Sequence, residues 1–234
     1  MASLFRLIVR TQMTRGRVVA LAAVAAIGIL IGFAVGRSDI ADPARAAYGF
    51  VASYGLGLLV PITALVFGSA ALGDPAEDAT LVYLWLRPVA RWKIVVASEL
   101  AALAVAVPFG VVPTAVAAAA TGQGADLVLG ATLASLVAVA AYSTLFLGLG
   151  LLVRRALAWG LVYVLIWEGF VARSGTAAAR LSILVYARSL LAHVAHAAPP
   201  RLAAAVPTSV ITPLAVAAVA LVLTTSALRR VDVK

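Results

Sequence analysis

Six long stretches of this 234-residue chain carry almost no charge and consist mainly of Ala, Val, Leu and Gly. A helix needs about 20 apolar residues to cross the hydrocarbon layer of a membrane, and each stretch is close to or above that length. Membrane-spanning β-strands would instead alternate apolar and polar residues, a pattern that the chain lacks. The predicted spans lie at about 18–36, 48–72, 94–120, 127–153, 156–172 and 207–228.

The composition excludes a soluble globular domain. Hydrophobic residues make up 64% of the chain and charged residues 12%, whereas soluble domains have roughly 45–50% and ~25%. A globule of this size could not bury that much apolar surface, and a disordered chain would be far more polar. We therefore predict an all-α polytopic membrane protein, with residues 1–234 forming a single transmembrane domain.

The net charge of +9 reports on topology rather than on a nucleic-acid partner, because the charges lie between the apolar stretches. With six spans, both termini share one side, and the segments on that side carry twice as many Lys and Arg residues as the opposite segments. The positive-inside rule then predicts a multi-pass protein with both termini in the cytoplasm, and the Ala-, Val- and Arg-rich composition points to a bacterial plasma membrane. The predicted cytoplasmic segments are 1–17, 74–93, 154–155 and 229–234.

Two further segments have an amphipathic character. In residues 1–17, Leu7 and Ile8 fall on one helical face, whereas Arg6 and Arg10 fall on another, which predicts a helix lying along the cytoplasmic membrane surface. The basic, Ala-rich segment 173–206 predicts short external helices at the outer leaflet rather than a folded domain.

The loop between the second and third spans carries a helix-start signal. Asp74 can cap a helix, Pro75 suits its first position, and Glu77 follows three residues after the cap. The pattern predicts a short cytoplasmic helix over 74–87, ended by Pro88. On the residues alone, this helix is either an ordinary connector or a lever through which a partner moves both spans.

Residues 73–102 resemble the signature of type-2 ABC exporter permeases, the six-span ABC-2 group. The resemblance rests on Glu77-Asp78, on Thr80-Leu81-Val82-Tyr83-Leu84, and on Arg87-Pro88-Val89-Ala90-Arg91-Trp92. The chain departs from the family pattern at Ala79, where members often have Gly, and at Ser98-Glu99, near which they often have Lys. A second stretch, 163–170 followed by 180–183, is similar to the fifth span and external helix of actinobacterial members.

This resemblance implies a transport function. The 74–87 helix would be the coupling helix that docks into a separate ABC ATPase, present in two copies beneath a permease homodimer. The substrate would be a hydrophobic or amphipathic molecule exported from the cytoplasm. The residues expected to couple to the ATPase are Asp74, Glu77, Asp78, Thr80, Tyr83 and Arg87.

The chain has no ATP site of its own. A phosphate-binding loop needs Gly-x-x-x-x-Gly-Lys-Ser/Thr, and the two lysines, Lys93 and Lys234, follow Trp and Val. ATP and Mg²⁺ would therefore bind to the partner subunit. We expect no catalytic, cofactor or metal site, since the chain has no Cys and His193 and His196 have no further ligand near them in sequence.

Two acidic residues fall inside predicted spans, where a charge is costly. For Glu168, the alternatives are an ion pair with Arg173 or Arg180, a role in substrate passage or outer gating, and proton coupling. Glu99 is expected to be a paired or snorkelling acid near the cytoplasmic surface. A gradient-driven carrier or channel that uses Glu168 is the alternative to an exporter. An intramembrane enzyme is disfavoured because both histidines lie outside the spans.

The first span contains two overlapping GxxxG motifs, formed by Gly28, Gly32 and Gly36. Such motifs let helix backbones approach closely. We therefore expect these glycines to pack against another helix, either in the same chain or across a dimer.

Overall fold

The computed structural model describes residues 2–77, 90–171, 175–198 and 203–230. Within those ranges the regular secondary structure is helical throughout, with no strand. The helices are α1 Ala2–Gln12, α2 Arg15–Arg37, α3 Pro43–Glu77, α4 Arg91–Ala120, α5 Ala125–Leu152, α6 Ala156–Glu168, α7 Thr176–Ala179, α8 Ile183–Val194 and α9 Val206–Arg230.

Five of these helices, α2, α3, α4, α5 and α9, are long and apolar enough to cross a membrane. The predicted all-helical, membrane-embedded class is confirmed at this level. The predicted fifth span, 156–172, is not confirmed as a crossing, because α6 ends at Glu168. At 1.5 Å per residue α6 is about 20 Å long, short of the ~30 Å hydrocarbon layer.

The helices form one bundle with two distinct ends. One end, which we call the proximal end, holds the start of α2, the end of α3, the start of α4, the link between α5 and α6 and the end of α9, and hydrogen bonds described below connect these segments in pairs. The opposite, distal end holds the end of α2 and the start of α3. The C-terminal part of α9 packs beside α1 at the proximal end, since Ile8 and Leu228 belong to one apolar cluster.

Helix α5 is the centre of the bundle and packs against α3, α4, α8 and α9. Its contact with α3 is close because both helices place glycine at the crossing. A Cβ on Gly68 would lie 2.7 Å from the carbonyl oxygen of Ser143, and a Cβ on Gly150 would overlap the carbonyl oxygen of Ser69. The buried rings of Phe67, Tyr142 and Phe146 fill the space around this contact.

Three helices contain a widened π-helical segment: Val51–Leu59 in α3, Val107–Val111 in α4 and Tyr163–Glu168 in α6. The first ends two residues before Pro61, and the second contains Pro108. Proline lacks an N–H and disturbs the regular i→i−4 ladder, which accounts for the first two segments. Such segments are frequent at functional sites because they leave backbone groups for other partners.

Helix α1 matches the predicted N-terminal helix, but its environment differs in detail. Ile8 is buried against the first half of α4, whereas Leu7 is exposed. The two therefore do not share one packed face. Gln12 at the end of α1 is also buried.

Part of the segment expected to lie at the outer leaflet contributes to the apolar core. Helix α8 buries one face against α5, and Leu191 is fully buried there. The external placement of this segment stays a prediction, and the burial of one α8 face adds to it. The structure accommodates Arg188 inside the bundle, as described below.

Candidate functional site

Glu168 is the most extensively hydrogen-bonded buried acid among the described residues. It ends α6 and is 2% exposed. Its carboxylate accepts hydrogen bonds from the Ser182 hydroxyl, from the backbone N–H of Ile183 at 3.1 Å and from the Tyr163 hydroxyl at 3.2 Å. Three donors compensate the cost of burying this group.

The carboxylate meets the N-terminus of α8, where the helix dipole favours negative charge. Ser182 is the N-cap of α8, and its Oγ also accepts a hydrogen bond from the Val185 N–H at 3.3 Å. Glu168 thus joins the end of one short helix to the start of another. A Ser directly before the apolar run that begins at Ile183 is a sequence signal for this helix start.

Arg188 extends the polar site along α8. Its Nε donates a hydrogen bond to the carbonyl oxygen of Ala52 at 3.2 Å, a residue of the π-helical segment of α3. The Tyr48 hydroxyl donates to the carbonyl oxygen of Arg188 at 3.3 Å. Tyr142 of α5 lies near Glu168 and Arg188 and is fully buried, and its hydroxyl has no hydrogen-bond partner among the described residues.

We call this set the α8 polar site; it comprises Tyr48, Ala52, Tyr142, Tyr163, Glu168, Ser182 and Arg188. The predicted ion pair of Glu168 with Arg180 does not form in the described structure. Arg173 lies outside the described residues. The sequence interpretation identified Glu168 but missed Arg188 and Ser182, because their partners come from distant segments.

Glu99 occupies a different environment on α4. It is 5% exposed, and its Oε1 accepts a hydrogen bond from the Thr144 hydroxyl of α5 at 3.1 Å. Its Oε2 is buried without a hydrogen-bond partner. Of the two expected alternatives, a snorkelling or a paired acid, the structure shows a buried acid whose observed partner is a hydroxyl.

At the proximal end, Asp74 does not start a new helix. Helix α3 continues through Asp74 and Pro75 to Glu77, so the predicted N-cap at Asp74 is wrong. The carboxylate instead pairs with the Arg17 guanidinium, with N–O distances of 2.9 and 3.2 Å. An ion pair from α2 thus replaces the capping role that the local sequence suggested.

Two more contacts tie the proximal end together. The Glu77 carboxylate accepts a hydrogen bond from the backbone N–H of Arg155 at 3.1 Å, in the link between α5 and α6. The Arg91 guanidinium donates to the carbonyl oxygens of Leu228 and Arg229 at 3.1 and 2.8 Å, at the end of α9. A cation at this position is favoured by the helix dipole.

The remaining residues of the expected coupling helix, Asp78, Thr80, Tyr83 and Arg87, lie outside the described residues. The coupling helix therefore stays a prediction. The structure describes the helix ends that flank it, namely the end of α3 and the start of α4.

The glycines of α2 lie against other helices of the same chain. Gly28 faces the ring of Tyr54 on α3, and Gly32 faces the backbone of Ala117 on α4. A Cβ on Gly36 would lie 2.8 Å from the carbonyl oxygen of Ala120. These contacts give the GxxxG residues an intramolecular packing role.

An apolar groove of about 570 Å³ runs between α5 and α9. Its walls include Leu149 and Leu152 of α5 and Val219 and Leu223 of α9. Both walls present hydrocarbon, so the groove suits a lipid chain or another apolar molecule.

Comparison with known proteins identified no relative of this chain: no protein-family model matches it, and no curated protein matches it.

Proposed function

We propose that this chain is the membrane-spanning subunit of an ATP-driven ABC exporter. The sequence support is the resemblance of residues 73–102 to ABC-2 permeases, together with the lack of a phosphate-binding loop. The structural support is a helical bundle whose two helices flanking segment 78–89 are tied to other helices. Energy would come from ATPase subunits that dock on that segment.

The proposed topology has six crossings with both termini in the cytoplasm. Helices α6 and α8 together would make the fifth crossing, with the break at Glu168 and Ser182. Where a helix breaks inside a membrane, its backbone polar groups must be bound by other parts of the protein. The hydrogen bonds of the α8 polar site are of this kind. The proximal end would then face the cytoplasm, in agreement with its excess of basic residues.

The contacts at the proximal end are the observation that carries the proposal. The Asp74–Arg17 ion pair links α3 to α2, and Glu77 links α3 to the start of α6 through Arg155. Arg91 links α4 to α9. A displacement of segment 78–89 would therefore reach α2, α6 and α9 together, which is the behaviour required of a coupling element.

In this mechanism two copies of the chain enclose the transport pathway. ATP-driven closure of the ATPases would shift the packing of the bundle and bias it towards a state that releases substrate outward. The apolar groove between α5 and α9 supports a hydrophobic or amphipathic substrate.

The test is co-purification of an ATPase with the tagged chain from membranes of its own host. We expect a polypeptide with a phosphate-binding loop to accompany the wild-type chain and to be lost with Asp78→Lys. Asp39→Lys, at an exposed residue between α2 and α3, is the matched control and should retain it. Glu77→Lys is a weaker probe, because it also breaks the contact with Arg155.

Reconstitution supplies the functional half of the test. Proteoliposomes that contain the chain and the ATPase should move substrate only when ATP is supplied. Transport by the chain alone, or unchanged ATPase binding in Asp78→Lys, would overturn the proposal.

The second candidate is a gradient-driven carrier or channel, and the position of Glu168 favours it. A buried acid at a helix break is where transporters bind ions or protons. This alternative requires transport without any ATPase, together with loss of that transport in Glu168→Gln. If the chain is an exporter, transport requires ATP in the wild type and in Glu168→Gln alike.

A further inference from the structure

We propose that a cavity at the distal end binds the acidic head group of an amphipathic molecule. The cavity has a volume of about 600 Å³, within the range of small-molecule sites. It lies between the start of α3, the link between α4 and α5, and the residues that follow α8. Its lining includes Asp42, Arg45, Tyr48, Gln123, Leu127 and His196.

Arg45 provides the charge that would hold an acid. No hydrogen bond or ion pair engages its guanidinium anywhere in the described ranges. A guanidinium binds phosphate or carboxylate through two parallel hydrogen bonds. Arg45 also lies in the first turn of α3, where the helix dipole adds positive potential. The lining also includes the imidazole of His196, a second polar side chain that can donate to an oxyanion.

Asp42 lines the same cavity, and its negative charge would repel a bound anion. Its Oδ1 accepts a hydrogen bond from the Arg45 backbone N–H at 3.0 Å and caps α3. That contact and the dipole of α3 partly offset its charge. Asp42 should therefore weaken the binding of an acid without preventing it, which gives the test a second, opposite variant.

The remaining wall is apolar and accounts for the amphipathic part of the proposal. Leu127 is buried there, and the lining also includes Ala44, Ala195, Ala197 and Ala198. Tyr48 presents its ring here while its hydroxyl bonds to the backbone of Arg188. An acid group can thus lie at Arg45 while a hydrocarbon chain follows the alanines and Leu127.

The binding experiment uses the purified full-length chain in a neutral detergent, with affinity measured by native mass spectrometry. The probes are lysophosphatidylglycerol, a monoacylglycerol with the same acyl chain, and glycerol 3-phosphate. The first carries chain and acid, the second chain alone, and the third acid alone. The variants are Arg45→Gln, Asp42→Asn and, as a control on the same end, Arg37→Gln, whose guanidinium lies 3.6 Å above the ring of Phe33.

We expect lysophosphatidylglycerol to bind about tenfold more tightly than the monoacylglycerol, because one charge-assisted contact is worth about that factor. Arg45→Gln should remove the difference, and Arg37→Gln should keep it. Asp42→Asn, which retains a capping oxygen, should tighten binding of the acidic probe.

Three results would overturn the proposal. They are equal affinity for the acidic and neutral amphiphiles, an unchanged preference in Arg45→Gln, and glycerol 3-phosphate binding as tightly as the amphiphile. The last result would assign the cavity to a small free anion instead. Because the assay needs neither ATP nor an ATPase, its outcome is independent of whether the chain is an exporter.

Discussion

At the scale of single residues, the buried acids Glu99 and Glu168 differ in their surroundings. Glu168 accepts hydrogen bonds from three donors at the start of α8. Glu99 accepts one from Thr144, and its second oxygen has no partner. The same substitution should therefore have opposite effects at the two positions.

Glu168→Gln should destabilise the protein. The amide keeps one acceptor oxygen but turns an NH₂ donor towards the Ser182, Ile183 and Tyr163 donors, which leaves at least one of them unsatisfied. We expect the free energy of unfolding to fall by about 2 kcal/mol, seen as a lower thermal midpoint in detergent. Asp39→Asn at an exposed acid is the control and should leave the midpoint unchanged.

Glu99→Gln should be tolerated. The side-chain oxygen can still accept from Thr144, and the substitution removes a carboxylate that the protein buries with one hydrogen bond. We expect a thermal midpoint equal to or above that of the wild type. A drop as large as that of Glu168→Gln would mean that Glu99 has a cationic partner in the folded membrane protein.

At the scale of helices, the crossing of α3 and α5 depends on the absence of side chains. Gly68→Ala would place a methyl group 2.7 Å from the carbonyl oxygen of Ser143, so the two helices must move apart. We expect a loss of roughly 1–3 kcal/mol, measured as increased sensitivity to thermal or denaturant unfolding. Gly49→Ala, in the same helix with no atom within 4 Å of the new Cβ, should be neutral or slightly stabilising.

Five of the helices could be predicted from the sequence because long apolar stretches must be helical in a membrane. The break after Glu168 could not, since hydropathy continues beyond it and the donors that its carboxylate meets, Ser182 and Ile183, lie at the start of another helix. The predicted helix N-cap at Asp74 was wrong for a related reason. Its local signal was real, but Arg17, distant in sequence, pairs with the carboxylate while α3 continues.

The candidate site was predictable only in part. An acid inside an apolar stretch identifies Glu168 by composition alone. Arg188 was assigned to an external segment, because sequence cannot reveal that the π-helical segment of α3 offers the carbonyl of Ala52. Contacts of this kind depend on where two backbones meet, which no local pattern encodes.

At the scale of the whole molecule, the proposed orientation can be tested because the chain has no cysteine. Single cysteines at Thr14 and Ser38, both exposed and at opposite ends of α2, report on the two sides. A membrane-impermeant maleimide should label Ser38→Cys in intact cells and Thr14→Cys only after permeabilisation.

The reverse labelling pattern would place the proximal end outside and exclude docking of a cytoplasmic ATPase on segment 78–89. The cysteine-free parent, labelled in parallel, gives the background. Retention of the purified fold in both variants is checked by their thermal midpoints.

The backbone contacts at Gly68 and Gly150 also limit how the bundle can change shape. Two helices that meet backbone to backbone at two points cannot slide past each other by a turn without forcing larger side chains through the contact. In the proposed transport cycle, helices α3 and α5 would therefore move together as one rigid body. The internal rearrangement would then concentrate at the joint between α6 and α8, where a few hydrogen bonds rather than interlocked backbones hold the halves together.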